Sequence, residues 1–316
     1  MPDQTSPLWP ELNYHAWQDT RATLQLWTQI VGKIRLMQTP WLNHSWHVPL
    51  YVNSKGLTTS PIPRGFRAFE MQFDFIDHVL DIAVSDGGTR RLPLQPRSVA
   101  DFYATVMAAL TELGVAVSIN EKPCEIPGAI PFSQDRTHTA YDPDYARRFW
   151  QVLLQADRVL KNFRTSFLGK CSPVHFFWGS FDLAVTRFSG RRAPPFTGTA
   201  PGVSPDIMRE AYSHEVSSAG FWPGGNGTDF PAFYSYTYPA PAGFRDFAVQ
   251  PADAFFSEPL GEFLLPYEAV RTAADPEAAL LAFLQSTYEA AADRAGWDRA
   301  ALECGEGQIG VPRPVS

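Results

Sequence analysis

The sequence predicts an α+β fold, in which long helices cover an antiparallel, meandering sheet. Three observations lead to this class. Long segments near residues 20, 150 and 280 carry apolar residues at helical spacing. Several short segments between them alternate apolar and polar residues and end at Gly, Asn or Asp turn signals. The connections between these short segments are only a few residues long, which favours antiparallel pairing over parallel crossovers.

The N-terminal half, residues 1–119, is predicted to run helix, β-meander, helix. Leu24, Trp27 and Ile34 lie on one face of a helix that Thr39-Pro40 ends. The strands that follow are predicted at 46–52, 57–62, 69–75, 78–84 and 90–94. Ser98 is expected to cap a second helix, which continues to Gly114. This half therefore places its hairpins between two helices.

The C-terminal half, residues 144–302, follows a Pro-rich connector at 120–143. Its predicted elements are a helix at 145–167, a hairpin at 171–192, strands at 211–218, 232–238 and 263–270, and a helix from Asp275 toward Gly296. A flexible tail is predicted at 303–316. Both halves share the order helix, hairpin, strands, helix, which suggests an internal duplication that sets His47 against His175. We expect the halves to form one cooperative unit.

Composition and charge narrow the class of partner. The chain is 45% hydrophobic and has a formal net charge of -7, so it can build a core but lacks the basic surface of a nucleic-acid or anionic-membrane binder. The start has no signal-peptide pattern, and no apolar run is long enough to span a membrane. Three distant cysteines indicate reduced thiols. We therefore expect a cytoplasmic protein with a small-molecule ligand, and the oligomeric state stays open.

Histidines in or beside the predicted strands suggest a metal site. His47, His175 and His214 are the candidate ligands, with His44 as an alternative, and the cofactor would be a divalent metal such as zinc or iron. His47 and His175 would meet near the axis that relates the two halves. The competing interpretation is that these imidazoles form hydrogen bonds within an aromatic core.

The hairpin at 171–192 supplies most of the other candidate site residues. Guanidinium groups bind carboxylate or phosphate in a bidentate manner, so an anionic substrate is expected there. The predicted catalytic residues are Asp182 and Glu215, and the predicted substrate-binding residues are Arg187, Arg191, Trp178 and Trp222. The alternative for Arg187 is a structural ion pair with Asp182. The sequence lacks a P-loop, a GxGxxG element and a GxSxG element, which argues against nucleotide binding and against an α/β-type serine hydrolase.

Several stretches are similar to a known family. They are LWTQIVGKIRL, TPWLNHSWHVPLYV, SPVHFFWGSFDLAVTRFSGR, YSHEVSSAGFWPGG and EFLLPYEAVR. They resemble a bacterial family of uncharacterised proteins catalogued only as a domain of unknown function, over roughly residues 9–302. The resemblance implies one unit of two linked halves and brings no assigned activity or ligand.

Two functions follow from these residues. The first is an enzyme that acts on a small anionic molecule in a cleft between the halves lined by His, Asp and Arg, as a metal-dependent oxidoreductase or hydrolase or with the histidines as acid and base. The alternative is a non-catalytic ligand-binding or regulatory protein with an aromatic-lined pocket.

Overall fold

A computed structural model describes residues 8–225 and 227–313 and confirms the α+β class. The helices are α1 (Tyr14–Leu36), α2 (Val99–Glu112), α3 (Pro143–Thr165), α4 (Pro205–Ala211), α5 (Tyr267–Arg271), α6 (Pro276–Arg294) and α7 (Arg299–Leu302). The strands are β1 (Tyr51–Val52), β2 (Gly56–Thr58), β3 (Ile62–Arg64), β4 (Arg67–Asp74), β5 (Val79–Val84), β6 (Thr89–Pro93), β7 (His175–Phe177), β8 (Asp182–Arg192), β9 (His214–Trp222), β10 (Ala232–Tyr238), β11 (Phe255–Ser257) and β12 (Glu262–Pro266). Within the described ranges, no helix combines the length and the apolar character needed to cross a membrane.

The described chain divides into two compact units that interleave in sequence. Unit 1 holds the residues up to Leu154 together with His175–Asp182 and Thr197–Ala211. Unit 2 holds Gln155–Val174, Leu183–Phe196 and the residues from Tyr212 on. The segment 120–143, predicted as a connector between halves, therefore lies inside unit 1. Residues 1–7 of the predicted first half and 314–316 of the predicted tail lie outside the described residues.

Helix α1 forms the centre of unit 1. Asn13 caps it by accepting a hydrogen bond from the Ala16 N–H. Trp27 packs in parallel against Phe102 of α2, with ring centroids 4.5 Å apart. Because α1 is buried on almost every side, a row of polar residues at four-residue spacing is buried as well. We call this the α1 polar row, and its members are Arg21, Gln25, Gln29 and Lys33.

The sheet of unit 1 is antiparallel, in the order β1-β2-β4-β5-β6, with β3 also paired to β4. The turn after β4 is closed by Asp74, whose side chain accepts the N–H groups of Ile76 and Asp77. Helix α2 begins at Ser98 as predicted, because the hydroxyl of Ser98 accepts the N–H of Asp101. Strand β7 belongs to this unit and pairs with the chain at Leu50 through two 2.9 Å backbone hydrogen bonds.

Unit 2 contains an antiparallel sheet in the order β11-β12-β10-β9-β8. Strand β10 covers the residues that the aromatic content of 232–238 predicts. The predicted strand at 263–270 is wrong after Pro266, where the chain turns into α5 and buries Tyr267 against Phe221. Helix α6 begins where predicted, because the carboxylate of Asp275 accepts the Ala278 N–H.

The strand predicted at 46–52 is also mostly wrong, since only β1 at its end is extended. Asn43–Ser45 forms a short 3-10 turn in which His44 and Ser45 have a left-handed backbone, each with φ of 58°. The His44 N–H donates to both carboxylate oxygens of Glu210, at 2.7 and 2.8 Å. Because Glu210 is 166 positions from His44 in the sequence, the local pattern of apolar and polar residues cannot predict this contact. His47 lies outside every strand, so the matched placement of His47 and His175 does not hold, and the internal duplication stays a prediction.

Gly32 is the position where α1 needs a residue without a side chain. An added Cβ would lie 2.2 to 2.4 Å from atoms of the Trp178 indole, which also donates from Nε1 to the Val48 carbonyl at 2.9 Å. We expect Gly32→Ala to lower the free energy of unfolding by about 2 kcal/mol, because overpacking outweighs the gain in helix propensity. Urea unfolding measures the change. In a Trp178→Leu background the same substitution should be close to neutral, and an equal loss there would contradict this explanation.

Candidate functional site

Two short segments of unit 1 bring carboxyl groups together. One is the turn Gly179–Asp182, which joins β7 to β8, and the other is Cys124-Glu125. A Cβ added to Gly179 would lie 2.0 Å from Oε1 of Glu125, so the carboxyl group occupies the space that a side chain at position 179 would need. The carboxylate of Asp182 is buried and accepts a hydrogen bond from Ser180 Oγ.

Left-handed backbone occurs in both segments. Glu125 has φ of 59° and Phe181 has φ of 64°. Residues with a Cβ rarely adopt this region, and for a bulky residue such as Phe181 the conformation is an outlier that costs energy. Backbone strain of this kind is concentrated at functional sites. The two strained residues lie where the chain presents Glu125 and Asp182, which makes this cluster the candidate site.

The charge state of Glu125 distinguishes it from an ordinary surface carboxylate. Burial raises the pKa of Glu125 to about 7, and the negative charge of Asp182 raises this pKa as well. Among the described residues no hydrogen-bond donor reaches the Glu125 side chain, so nothing there stabilises its ionised form. The side chain is half-buried and keeps some contact with solvent. A carboxyl group that titrates near neutral pH can both donate and accept a proton.

The α1 polar row holds the backbone of both segments. Gln29 forms two hydrogen bonds with the backbone of Cys124. Its Nε2 donates to the Cys124 carbonyl at 2.8 Å, and its Oε1 accepts the Cys124 N–H at 2.9 Å. Gln25 donates from Nε2 to the Gly179 carbonyl at 2.7 Å. Lys33 donates to the Lys122 carbonyl at 2.6 Å. Side-chain amides on a rigid helix therefore fix the position of Glu125 relative to the turn at Gly179.

The thiol of Cys124 lies in the same cluster but is a poor nucleophile. Burial and the neighbouring Glu125 raise the pKa of Cys124 to about 12, although the ammonium of Lys33 acts in the opposite direction. Only the thiolate form of a cysteine attacks substrates efficiently. Covalent catalysis by Cys124 is therefore disfavoured, and the chemistry of the site rests on its carboxyl groups.

The segment Thr197–Ala211, between β8 and β9, packs onto the site within unit 1. The Glu125 N–H donates to the Pro201 carbonyl at 2.6 Å. Gly202 adopts φ of 69°, and an added Cβ there would lie 3.1 Å from the Pro123 carbonyl oxygen and 3.2 Å from the Cα of Cys124. At its far end the segment is held by the bond between Glu210 and the His44 backbone described above. The segment thus supports the left-handed backbone of Glu125.

The histidines predicted as metal ligands have other partners. Within residues 8–225 and 227–313, no group of three or more His, Cys, Asp or Glu residues is placed to hold a metal ion. His47 accepts the Leu42 N–H on Nδ1 at 3.2 Å, and burial is the main cause of its lowered pKa. His44 bonds from Nδ1 to the Ala211 carbonyl at 3.1 Å. His214 bonds from Nδ1 to Ser213 Oγ at 3.1 Å.

His175 is fully buried in an aromatic environment. Its ring makes edge contacts with Trp46, Tyr51 and Phe177, at centroid distances of 5.9, 5.6 and 5.5 Å. The ring contacts agree with one part of the competing interpretation from the sequence, in which the imidazoles form hydrogen bonds within an aromatic core; the interpretation as a whole stays a prediction. The structure does not assemble the expected three-histidine set among the described residues.

Arg187, predicted to bind the substrate, lies in the core of unit 2 and is 1% exposed. Its guanidinium carbon lies 3.5, 4.4 and 4.9 Å from the ring centroids of Phe163, Tyr288 and Phe167. Nη2 donates to the Phe163 carbonyl and to Ser166 Oγ. Burial lowers the pKa of Arg187 to about 10. These contacts favour a structural role for Arg187.

The remaining predicted residues have contacts within their own units. Glu215 accepts hydrogen bonds from Ser189 Oγ and from Nε and Nη2 of Arg191, all at Oε2, so both predicted residues are used in an ion pair of unit 2. Trp178 is packed against α1, and Trp222 lies half-buried at the end of β9, paired with Ala232. Of the predicted set, Asp182 is the residue that lies at the carboxyl pair.

The comparison with protein families is informative about the whole chain. A model of a family of unknown function, DUF5996, matches residues 9–304. The chain belongs to DUF5996. The resemblance noted in the sequence therefore holds over almost all of the protein. No curated protein and no solved structure matches it. Membership in DUF5996 brings no assigned activity, so the function of this chain has to be argued from its own residues.

Sequence reasoning missed Glu125 and the α1 polar row in this DUF5996 chain. Glu125 follows Cys124 in a Pro-rich segment without periodicity, where no local pattern marks a functional carboxyl. A signal for the polar row was present, because Arg21, Gln25, Gln29 and Lys33 recur every four residues along one face of the helix. Buried polar side chains of this kind are expected to have hydrogen-bond partners, which here include the backbone of the two site segments.

Proposed function

We propose that this protein is an enzyme that uses Glu125, paired with Asp182, as a general acid and base toward a small anionic molecule. The observation that carries the proposal is the placement of Glu125, which is held against Gly179 on a strained backbone with no hydrogen-bond donor on its carboxyl group among the described residues. An ordinary structural carboxylate is paired or hydrogen-bonded.

Each residue of the site has a separate role in acid and base catalysis. Protonated Glu125 donates its proton to the group that gains negative charge in the substrate, and the resulting carboxylate takes a proton back in the reverse step. Burial and, to a smaller extent, the negative charge of Asp182 oppose ionisation of Glu125 and raise its pKa to about 7, so the proton is retained up to about that pH. Gln25 and Gln29 keep the two segments fixed, which limits the reorganisation that the reaction requires. The three free cysteines accord with a cytoplasmic location, which belongs to the same proposal.

The alternative of a ligand-binding protein with an aromatic-lined pocket has less support. The aromatic residues of unit 2 contact one another. Tyr212 stacks on Phe196 with centroids 4.4 Å apart and shares a hydrogen bond of 3.1 Å with the hydroxyl of Tyr236. Tyr238 packs edge-on against both Phe196 and Tyr212. These rings therefore already have aromatic and hydrogen-bond partners within unit 2.

A search for turnover tests the proposal. The full-length protein is incubated with a panel of small carboxylic acids, their esters and amides, and phosphate monoesters, and products are followed by proton and phosphorus NMR. Conversion that the wild type catalyses and Glu125→Gln does not would support it. Equal conversion by the two proteins would contradict it, and saturable binding without conversion would favour the regulatory alternative.

Asp182→Asn should lower the pKa of Glu125, because the substitution removes a neighbouring negative charge while the amide retains an acceptor for Ser180. Burial remains, so the pKa should stay above that of a free glutamate. Carbon-13 NMR of glutamate carboxyl groups measures it, with the signal assigned by its loss in Glu125→Gln. Asp86→Asn, at an exposed turn, is the matched control and should leave Glu125 unchanged. An unshifted Glu125 in Asp182→Asn would show that the two carboxyls are not coupled.

A further inference from the structure

We propose that Arg21 binds the carboxylate of the substrate at one end of the α1 polar row, so that the molecule on which Glu125 acts is a small monocarboxylate. The inference rests on the proposed function and adds the substrate class and the residue that recognises it.

The state of Arg21 is unusual for a buried cation. Its side chain is 8% exposed, and burial lowers its pKa. Nη1 donates to the Gln25 Oε1 at 3.3 Å, while the buried Nε has no partner among the described residues. The Tyr14 hydroxyl is the other group that interacts with it. Burying a positive charge without an anion is costly, and a bound carboxylate would remove that cost.

The other two buried arginines have contacts that offset the cost of burying their positive charge. Arg35 donates to the Pro49 carbonyl and lies over the Tyr51 ring. Arg187 is enclosed by three aromatic rings and also donates to a carbonyl. Among residues 8–225 and 227–313, neither a backbone carbonyl nor the face of an aromatic ring contacts the Arg21 guanidinium; its hydrogen bonds go to the Tyr14 hydroxyl and to the Gln25 amide, which itself reaches the candidate site. Arg21 is therefore the one of these three that an anionic ligand fits.

A short chain of contacts connects Arg21 to Glu125. Gln25 accepts from Arg21 through Oε1 and donates from Nε2 to the Gly179 carbonyl, and Gly179 lies against the Glu125 carboxyl group. A carboxylate held at Arg21 thus lies on the face of α1 that also faces the acid and base group. One guanidinium fork matches one carboxylate. A phosphate dianion would bring a second negative charge toward the Glu125–Asp182 pair, which favours the monoanion.

The Nε–H signal of Arg21 provides a direct test. Protein labelled with nitrogen-15 arginine is titrated with propionate, with neutral propionamide of the same size, and with inorganic phosphate. We expect propionate to shift the Arg21 Nε–H signal in a saturable manner and propionamide to leave it in place. Arg21→Lys keeps the charge but loses the fork, so it should weaken propionate binding roughly tenfold, measured on backbone signals of the Gly179–Asp182 turn.

Internal controls make the result decisive. The Nε atoms of Arg35 and Arg187 are buried without a partner in the described residues as well. Their guanidinium groups, however, already contact a backbone carbonyl and aromatic rings, so their signals should not move with propionate. A shift of the Nε–H signals of all three arginines, or of none, would overturn the inference. A stronger response of Arg21 to phosphate than to propionate would overturn the monocarboxylate as the substrate class. Arg21→Gln, checked for folding by its thermal melt, should abolish propionate binding.

If Arg21 does not respond while Glu125 titrates near 7, this inference fails and the proposed function stands. If Arg21 responds while Glu125→Gln retains turnover, the proposed function fails, and of this inference the binding of a carboxylate by Arg21 stands while the role of that carboxylate as the substrate of Glu125 is overturned.

Discussion

Glu125→Gln is expected to lower the rate of turnover about a hundredfold or more, the usual scale for removing a positioned acid or base. Glutamine has the shape of the protonated carboxyl group, so the contact with Gly179 and the packing of the site should survive. What is lost is the exchangeable proton. The kcat on the substrate identified in the NMR panel is the measurement, and KM should change little because the substrate carboxylate is held at Arg21.

The stability of Glu125→Gln gives an independent check. In the wild type the pKa of Glu125 is raised from 4.5 to about 7, so the folded state holds a proton that the unfolded state releases. Unfolding free energy should therefore fall as pH rises from about 4.5 to about 7, and Glu125→Gln should lack this part of the pH dependence. Glu121→Gln is the matched control on the same segment. A variant that loses activity and also unfolds at neutral pH would point to a structural role for Glu125.

Arg187→Ala is expected to lower the free energy of unfolding by about 4 kcal/mol, since it opens a large cavity in the core and removes cation–π contacts. The carbonyl of Phe163 and the hydroxyl of Ser166 would also lose their donor. Chemical denaturation measures the loss. Arg187→Met fills much of the same volume without the charge, so its smaller loss separates packing from electrostatics.

A third variant, Arg187→Lys, decides between a structural and a substrate-binding role for Arg187. If Arg187 has a structural role, Arg187→Lys should lower the melting temperature and leave the binding of propionate at Arg21 unchanged. A melting temperature that barely moves, together with weaker ligand binding, would instead support the substrate-binding role that the sequence suggested.

The elements that the sequence predicts well are those with local causes. Ser98 and Asp275 cap their helices through hydrogen bonds three residues away, and β10 is rich in aromatic residues that favour strands. The segment 46–52 misleads for the same reason, because alternating residues there resemble a strand while a bond to Glu210 bends the chain at His44.

The candidate site depends on distant contacts and is therefore hidden from sequence patterns. Gln29 meets Cys124 across 95 positions, and Gln25 meets Gly179 across 154. The left-handed backbone of Glu125 occurs in a residue type that gives no warning of it. Asp182 could be named from the sequence because it ends a hairpin turn, whereas its carboxyl partner could not.

The segment Thr197–Ala211 has a consequence for engineering. As a Pro- and Gly-containing connection between two strands it resembles the loops into which affinity tags, reporter domains or new termini are usually introduced. In this protein its Pro201 carbonyl holds the backbone of Glu125 and its Glu210 carboxylate holds the turn at His44. We expect an insertion there to disturb both contacts and to displace Glu125 even when each unit still folds.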